Sequence, residues 1–69
     1  MTKYAIEVSW SDDDGVWIAN VPDLPHCTAD GPTPHDALAE AEIAVQAWLQ
    51  AAEATGRPVP EPSPRAAHA

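Results

Sequence analysis

Four prolines within residues 21–34, VPDLPHCTADGPTP, divide this chain into two parts with different expected secondary structure. Proline has no backbone N–H, so Pro22 and Pro25 end any strand that reaches them. Thr33 and Pro34 suit the N-cap and the first position of a helix. This proline-rich connector therefore predicts strands before it and a helix after it, and its rigidity helps to set the angle between them.

Two segments before the connector have the pattern of strands. Residues 3–10, KYAIEVSW, alternate between two faces, which is typical of a half-buried strand. The turn signal SDDDG leads directly to residues 16–21, VWIANV, and predicts an antiparallel hairpin. Residues 26–30 are predicted to form a third strand, which Gly31 closes.

The two faces of the second predicted strand are both partly apolar. On this strand Trp17, Ala19 and Val21 alternate with Val16 and Ile18. Because one helix covers only one face of a sheet, one of these two sets is expected to face away from it. A tryptophan left uncovered, either Trp17 or Trp10, would offer a surface to a second protein.

A single long helix is expected after the connector. Thr33 and Pro34 begin it, and Gly56 with Pro58 is suited to end it after residue 55. The apolar stripe predicted to face the sheet consists of Leu38, Ala41, Val45, Trp48, Leu49 and Ala52. Ile43 falls among the polar residues instead, where it is either a lone exposed side chain or a contact with a partner chain.

The length of the chain makes self-association the default expectation. A chain of 69 residues forms one domain at most, and so small a core supplies little net stability. Its single cysteine, Cys27, excludes an internal disulfide, and no ligand cluster predicts a structural zinc site. We therefore expect a homodimer, or a tetramer built from dimers, joined through the open edge of the strand in residues 3–10.

The net charge of −8 restricts the classes of partner. Phosphate binding requires a cationic face, so direct binding of nucleic acid is not expected. Basic proteins are attracted instead. The first ten residues lack the pattern of a signal peptide and no segment is apolar enough to span a bilayer, which predicts a cytoplasmic protein with no membrane partner.

Three consecutive acidic residues in the predicted hairpin turn, Asp12, Asp13 and Asp14, form one candidate site. A calcium site needs oxygen ligands distributed along a longer loop, whereas three adjacent side chains point in different directions. We interpret them as a solvated turn or as a negative patch that contacts a basic protein, and we expect no metal there.

Catalytic and metal-binding interpretations of the other polar residues are disfavoured. His26, Cys27 and His35 lack the ligand set of a zinc site and the oriented third group of a Cys–His nucleophile pair. Cys27 is better explained as a small buried apolar residue. A two-metal nuclease needs several carboxylates, and the strands offer only Glu7 and Asp30. We therefore expect no enzymatic activity, no cofactor and no metal.

The alternating strand, the DG turn and the segment VWIANVPDLPHCTADGPTPHDALAEAEIAVQAWL that follows it resemble, in this order, the single-domain HicB-like antitoxins of bacterial toxin–antitoxin systems. GRPVPEP, residues 56–62, also matches the proline-rich exit from the family's helix, so the resemblance covers residues 4–62. The individual residues that match the family pattern are Pro22, Asp23, Leu24, Pro25, Cys27, Ala29, Gly31, Thr33, Ala37, Leu38, Ala41 and Ala44.

Three positions depart from that pattern. His26 replaces a usual glycine, Pro32 a usual acidic residue, and His35 a usual glutamate. We expect His26 either to keep a negative φ or to belong to a different turn. The fold assignment does not depend on these positions, whereas a partner contact made there would.

The resemblance implies an α+β fold: an antiparallel sheet of three or four strands with one long helix packed on one face. The order is β-β-β-α with a further strand allowed, and the fold is described as a degraded RNase H-like fold. The resemblance also implies self-association and a partner, a small basic mRNA-cleaving toxin of the HicA type whose active site the antitoxin covers. Longer members add a DNA-binding module; because this chain ends at Ala69, we expect no direct DNA binding.

The sequence thus predicts one HicB-like domain over residues 1–62 and a disordered tail over residues 63–69. The residues expected to contact a partner are Asp12, Asp13, Asp14, Trp17 and Ile43. The alternative function is that of an orphan homo-oligomeric scaffold, or a small-ligand-binding protein, with the same fold. The presence or absence of a toxin gene beside this one would distinguish the two.

Overall fold

The computed structural model describes residues 2–63, which form a three-stranded antiparallel sheet followed by one long helix. The strands are β1 (Glu7–Ser11), β2 (Val16–Asn20) and β3 (Thr28–Gly31), and the helix is α1 (Pro34–Thr55). The predicted α+β class and the order β-β-β-α are confirmed. Within residues 2–63 there is no fourth strand, and residues 64–69, most of the predicted tail, lie outside the described part of the chain.

The pairing of the sheet explains why β1 begins later than the alternating pattern predicted. β2 is the central strand, and its last residue, Asn20, lies opposite Glu7. Continued pairing in this register would bring Pro22 opposite Ala5, and proline has no N–H to donate. β1 therefore covers Glu7–Ser11 rather than residues 3–10.

The register also determines which face of the sheet the helix covers. Ala19 is fully buried and lies between Val8 of β1 and Ala29 of β3, and all three pack in the core. Side chains of a strand alternate between faces, so Val16 and Ile18 lie on the face away from α1. Both are half-buried.

The helix begins and ends at the residues that the sequence predicted. The Thr33 hydroxyl accepts the N–H of Asp36 at 3.1 Å and caps the N-terminus. At the C-terminus Gly56 takes the left-handed conformation, with φ of 71°, and the N–H of Arg57 donates to the Ala52 carbonyl at 2.9 Å. This is the hydrogen bond of a Schellman motif.

Small side chains let the helix approach the sheet closely. The buried residues of α1 are Ala37, Ala41, Val45 and Ala52. At the end of β3, a Cβ on Gly31 would lie 2.7 Å from the Ala37 nitrogen, so only glycine fits without a shift. The predicted stripe therefore omitted a core residue, Ala37, while Leu38, which it included, is only half-buried.

The β2–β3 loop, residues 21–27, contributes side chains to the core. Val21, Leu24 and Cys27 are buried there. The N–H of Val21 donates to the Cys27 carbonyl at 3.0 Å, and the N–H of Cys27 to the Leu24 carbonyl at 3.2 Å. The expectation of a negative φ at His26 is wrong, because this exposed residue has φ of 61°. It keeps the left-handed backbone that glycine adopts more easily.

Residues 57–63 are attached to the rest of the domain. The Tyr4 hydroxyl donates to the Pro60 carbonyl, and the N–H of Ser63 donates to Asp23 Oδ2 at 2.7 Å. The proline-rich exit from the helix thus returns to both the N-terminal segment and the β2–β3 loop. The boundary predicted after residue 62 stays a prediction.

Candidate protein-interaction site

The turn between β1 and β2, called here the acidic turn, carries Asp12, Asp13 and Asp14, all of them exposed. The N–H of Gly15 donates to the Ser11 carbonyl at 2.8 Å, and the N–H of Asp14 donates to the Ser11 hydroxyl at 3.3 Å. Gly15 has φ of 66°, which glycine adopts without strain. Local hydrogen bonds therefore define the backbone of the turn, and its carboxylates remain in contact with solvent.

Two tryptophans lie next to the acidic turn. Trp10 and Trp17 are directly opposite each other on β1 and β2, with ring centroids 5.6 Å apart in an edge-to-face arrangement. Trp10 is 49% exposed, whereas Trp17 is half-buried and packs against the core. The Trp10 indole N–H donates to Asp12 Oδ1 at 2.8 Å, which joins the ring to the turn. We call Trp10, Trp17 and the acidic turn the hairpin patch.

The position of the helix explains why Trp10 is uncovered. Trp10 lies on the helix-facing side of β1, together with Val8. The helix packs mainly across β3 and β2 and only slightly on β1. The sequence identified Trp10 and Trp17 as alternatives for an exposed tryptophan, and the structure exposes chiefly Trp10.

Ile43 lies on a different surface. It is 64% exposed on the side of α1 opposite the buried stripe, so its predicted exposure is confirmed. Its neighbours one turn toward the helix N-terminus are Ala39 and Glu40, both exposed. The structure therefore brings Trp17 and the three turn aspartates together and places Ile43 apart from them.

A groove that the sequence did not predict opens at the end of the sheet where the acidic turn lies. Its volume is about 480 Å³, and we call it the acidic groove. It is lined by Val16, Asp30, Gly31, Pro32, Asp36, Ala39 and Glu40. These residues come from β2, β3, the loop after β3 and α1, so no local sequence signal connects them.

Acidic side chains are concentrated at this end of the molecule. The acidic turn and the acidic groove together hold six of the eleven acidic residues of the chain: Asp12, Asp13, Asp14, Asp30, Asp36 and Glu40. The cationic residues of residues 2–63 lie toward the other end. Lys3 adjoins Tyr4, which bonds Pro60, and the guanidinium of Arg57 lies 5.9 Å from the centre of the Trp48 ring. The electrostatic field at the end of the molecule that carries the acidic turn is therefore negative, which favours the approach of a basic partner.

The residues considered for catalysis are not gathered into a site. Cys27 is buried, and burial raises the pKa of its thiol, the opposite of what activates a nucleophilic cysteine. Glu7 and Asp30 lie on the two outer strands with β2 between them, which separates their backbones by about 10 Å. In residues 2–63 no group of three or more His, Cys, Asp or Glu side chains is placed to hold a metal ion.

No helix in the described part of the chain combines the length and the apolar character that crossing a bilayer requires.

Comparison with known proteins identifies similar sequences. Residues 3–69 match the sequence model of a family described as the HicB-like antitoxin of bacterial toxin–antitoxin systems. The chain is 31% identical over 58 residues to UPF0150 protein Ta0767 of Thermoplasma acidophilum, across 84% of this chain and 83% of that protein. No solved structure matches the chain significantly. The similarity extends over nearly the whole domain, including the β2–β3 loop and the helix.

Proposed function

Because this chain belongs to the family of HicB-like antitoxins of bacterial toxin–antitoxin systems, we propose that it neutralises a small basic mRNA-cleaving toxin of the HicA type by covering the toxin's active site. The family match over residues 3–69 is the observation that carries this proposal. The net charge of −8 supports it, because an acidic chain associates rapidly with a basic partner.

The hairpin patch is the proposed contact surface. Its three carboxylates would steer the toxin, and its exposed tryptophan ring would be covered in the complex. Tryptophan is enriched among the residues that contribute most to protein–protein affinity. Trp17 packs edge-to-face against the Trp10 ring, and Ile43 is proposed to make a separate contact on the outer side of the helix.

Self-association belongs to the same proposal. β1 and β3 are the outer strands of the sheet, and an open edge carries unpaired backbone groups. We propose a homodimer, or a tetramer built from dimers, joined through β1. The complex would form in the cytoplasm, where mRNA is cleaved, and the antitoxin itself would need neither catalytic activity nor direct contact with DNA.

The test uses the small basic protein that is encoded by the reading frame adjacent to this gene. A catalytically inactive form of that protein is titrated with the full chain at low salt, and RNA cleavage by the active form is measured with and without the chain. We expect a stable complex and loss of cleavage. Trp10→Ala should weaken the complex by about tenfold or more, whereas Trp10→Phe should weaken it much less.

Two results would contradict the proposal. The first is the absence of binding between the two wild-type proteins at low salt. The second is a stable homo-oligomer that leaves ribonuclease activity unchanged, which would favour the alternative of an orphan scaffold or a small-ligand-binding protein with the same fold.

A further inference from the structure

The lining of the acidic groove combines apolar residues with carboxylates. Val16, Pro32 and Ala39 supply the apolar lining, together with the backbone of Gly31. Asp30, Asp36 and Glu40 supply the carboxylates, and all three are exposed. Such a groove can accommodate a side chain with an apolar stem and a charged end.

The carboxylates of the groove are available to a partner. Among residues 2–63, Asp30, Asp36 and Glu40 make no ion pair or side-chain hydrogen bond. The basic side chains of that part of the chain, Lys3 and Arg57, lie toward the opposite end of the molecule. Ile43, one helical turn beyond Ala39, extends the apolar surface out of the groove.

We propose that the acidic groove receives an arginine side chain from a basic protein partner. The aliphatic stem would cover Val16 and Ala39, and the planar guanidinium would donate hydrogen bonds to the carboxylates. Arginine suits this site better than lysine, because its several N–H groups are arranged to bind carboxylates in pairs. The identification of that partner with the toxin rests on the proposed function.

A second copy of this chain is a poor occupant of the acidic groove, because its charge is not complementary to the carboxylates there. Each copy carries a net charge of −8, so two copies repel each other where the acidic residues are concentrated. A basic partner is complementary in charge, and its arginines can approach from solvent because the groove is open.

The groove is tested first without the toxin. The ¹⁵N-labelled full chain is titrated with a tetra-arginine peptide and with the matching tetra-citrulline peptide, which has nearly the same shape without the charge. We expect saturable shifts of the backbone amides of Val16, Asp30, Gly31, Ala39 and Glu40 with arginine only. Shifts centred on the acidic turn, or shared equally with the distant Glu53, would overturn the proposal.

The second test measures affinity for the inactive toxin with matched variants. Glu40→Gln and Glu53→Gln each remove one negative charge from an exposed helical glutamate, so they change the net charge equally. Glu40→Gln should weaken binding roughly fivefold and Glu53→Gln hardly at all. Ala39→Leu, which fills the groove, should weaken binding, whereas Ala51→Leu on the same helix should not. Equal effects of the two charge variants would contradict the proposal.

The two tests separate failure of the groove from failure of the proposed function. If the wild-type chain does not bind the toxin, the antitoxin proposal fails and the arginine titration alone decides whether the groove recognises guanidinium groups. If the toxin binds but Glu40→Gln and Ala39→Leu behave as their controls, the antitoxin proposal stands and the groove is not the contact. Dissociation of a homodimer by Ala39→Leu would assign the groove to a second copy and overturn the proposal.

Discussion

The two connections of the sheet differ in what they contribute to the fold. The acidic turn between β1 and β2 buries no side chain, and its hydrogen bonds are local. The β2–β3 loop places Val21, Leu24 and Cys27 in the core. It also accepts two bonds from distant parts of the chain: the Trp48 indole donates to the Pro25 carbonyl at 2.9 Å, and the N–H of Ser63 donates to Asp23.

This difference indicates that the two connections of one small sheet have different roles. The β2–β3 loop supplies buried apolar side chains to the core, a contribution that an additional helix or strand would make in a larger protein. The side chains of the three turn aspartates contribute nothing to the core, so they can be selected for contact with another molecule. Substitutions of the buried side chains should therefore lower stability at the loop, whereas substitutions of the three aspartates should leave stability nearly unchanged at the turn.

The largest expected effect is that of Leu24→Ala. Leu24 is among the largest fully buried side chains in residues 2–63, and its truncation should lower the free energy of unfolding by about 3 kcal/mol. Asp13→Ala in the acidic turn is the control and should change it by less than about 0.5 kcal/mol. Urea unfolding followed by tryptophan fluorescence measures both.

Cys27 offers a second readout of the same variants. Its buried thiol should react slowly with alkylating reagents, since both burial and a raised pKa reduce the available thiolate. Leu24→Ala should accelerate alkylation and Asp13→Ala should not. Similar losses of stability in Leu24→Ala and Asp13→Ala would show that the acidic turn and the β2–β3 loop contribute equally to the stability of the fold.

A smaller effect is expected at Gly15, where the acidic turn does depend on its backbone. Gly15 has φ of 66° and no heavy atom near the position of a Cβ, so Gly15→Ala is disfavoured by conformation and not by collision. We expect a loss of about 1 kcal/mol. Gly15→Asn should lose less, because asparagine tolerates the left-handed region better than alanine. Thermal unfolding of the two variants distinguishes them.

The two ends of the helix could be predicted because their signals are local. Thr33 and Gly56 need only their own neighbours to form the caps, and both do so. The start of β1 could not be predicted in this way. The alternation of residues 3–10 is real, but the position of Pro22, two residues after β2 ends at Asn20, decides where pairing stops.

The candidate site was predicted only where its signal is local in sequence. In the sequence the acidic turn is visible as three adjacent charges, and Ile43 is visible as an apolar residue among the polar residues of the helix. The exposure of Trp10 depends on how far the helix reaches across β1, and the acidic groove depends on segments that are distant in sequence. Ala37 was missed in the core because its burial depends on the close approach of its backbone nitrogen to Gly31, which is a tertiary contact.

A comparison of tryptophan side chains tests the loop and the turn through one hydrogen bond each. Trp48→Phe removes the N–H that donates to Pro25 in the β2–β3 loop and should cost about 1 kcal/mol. Trp10→Phe removes the bond to Asp12 at the exposed turn and should cost less than about 0.5 kcal/mol. Equal costs in chemical denaturation would mean that both connections are equally coupled to the fold.

The smallest effect, and the only gain, is expected at His26. This residue is the counterpart of Gly15 in the other connection, since both have a positive φ, but His26 carries a side chain that disfavours that conformation. His26→Gly should relieve the strain, and the larger freedom of glycine in the unfolded chain offsets part of the gain, leaving about 0.5 kcal/mol of added stability. His26→Ala is the control: it removes the imidazole without relieving the backbone, so it should not stabilise the protein. If His26→Gly proved less stable than the wild type in the same urea titration, the imidazole would have to make a stabilising contact that outweighs the strain. If His26→Gly proved more stable than the wild type but bound the toxin more weakly, His26 would contribute to toxin binding while lowering the stability of the fold.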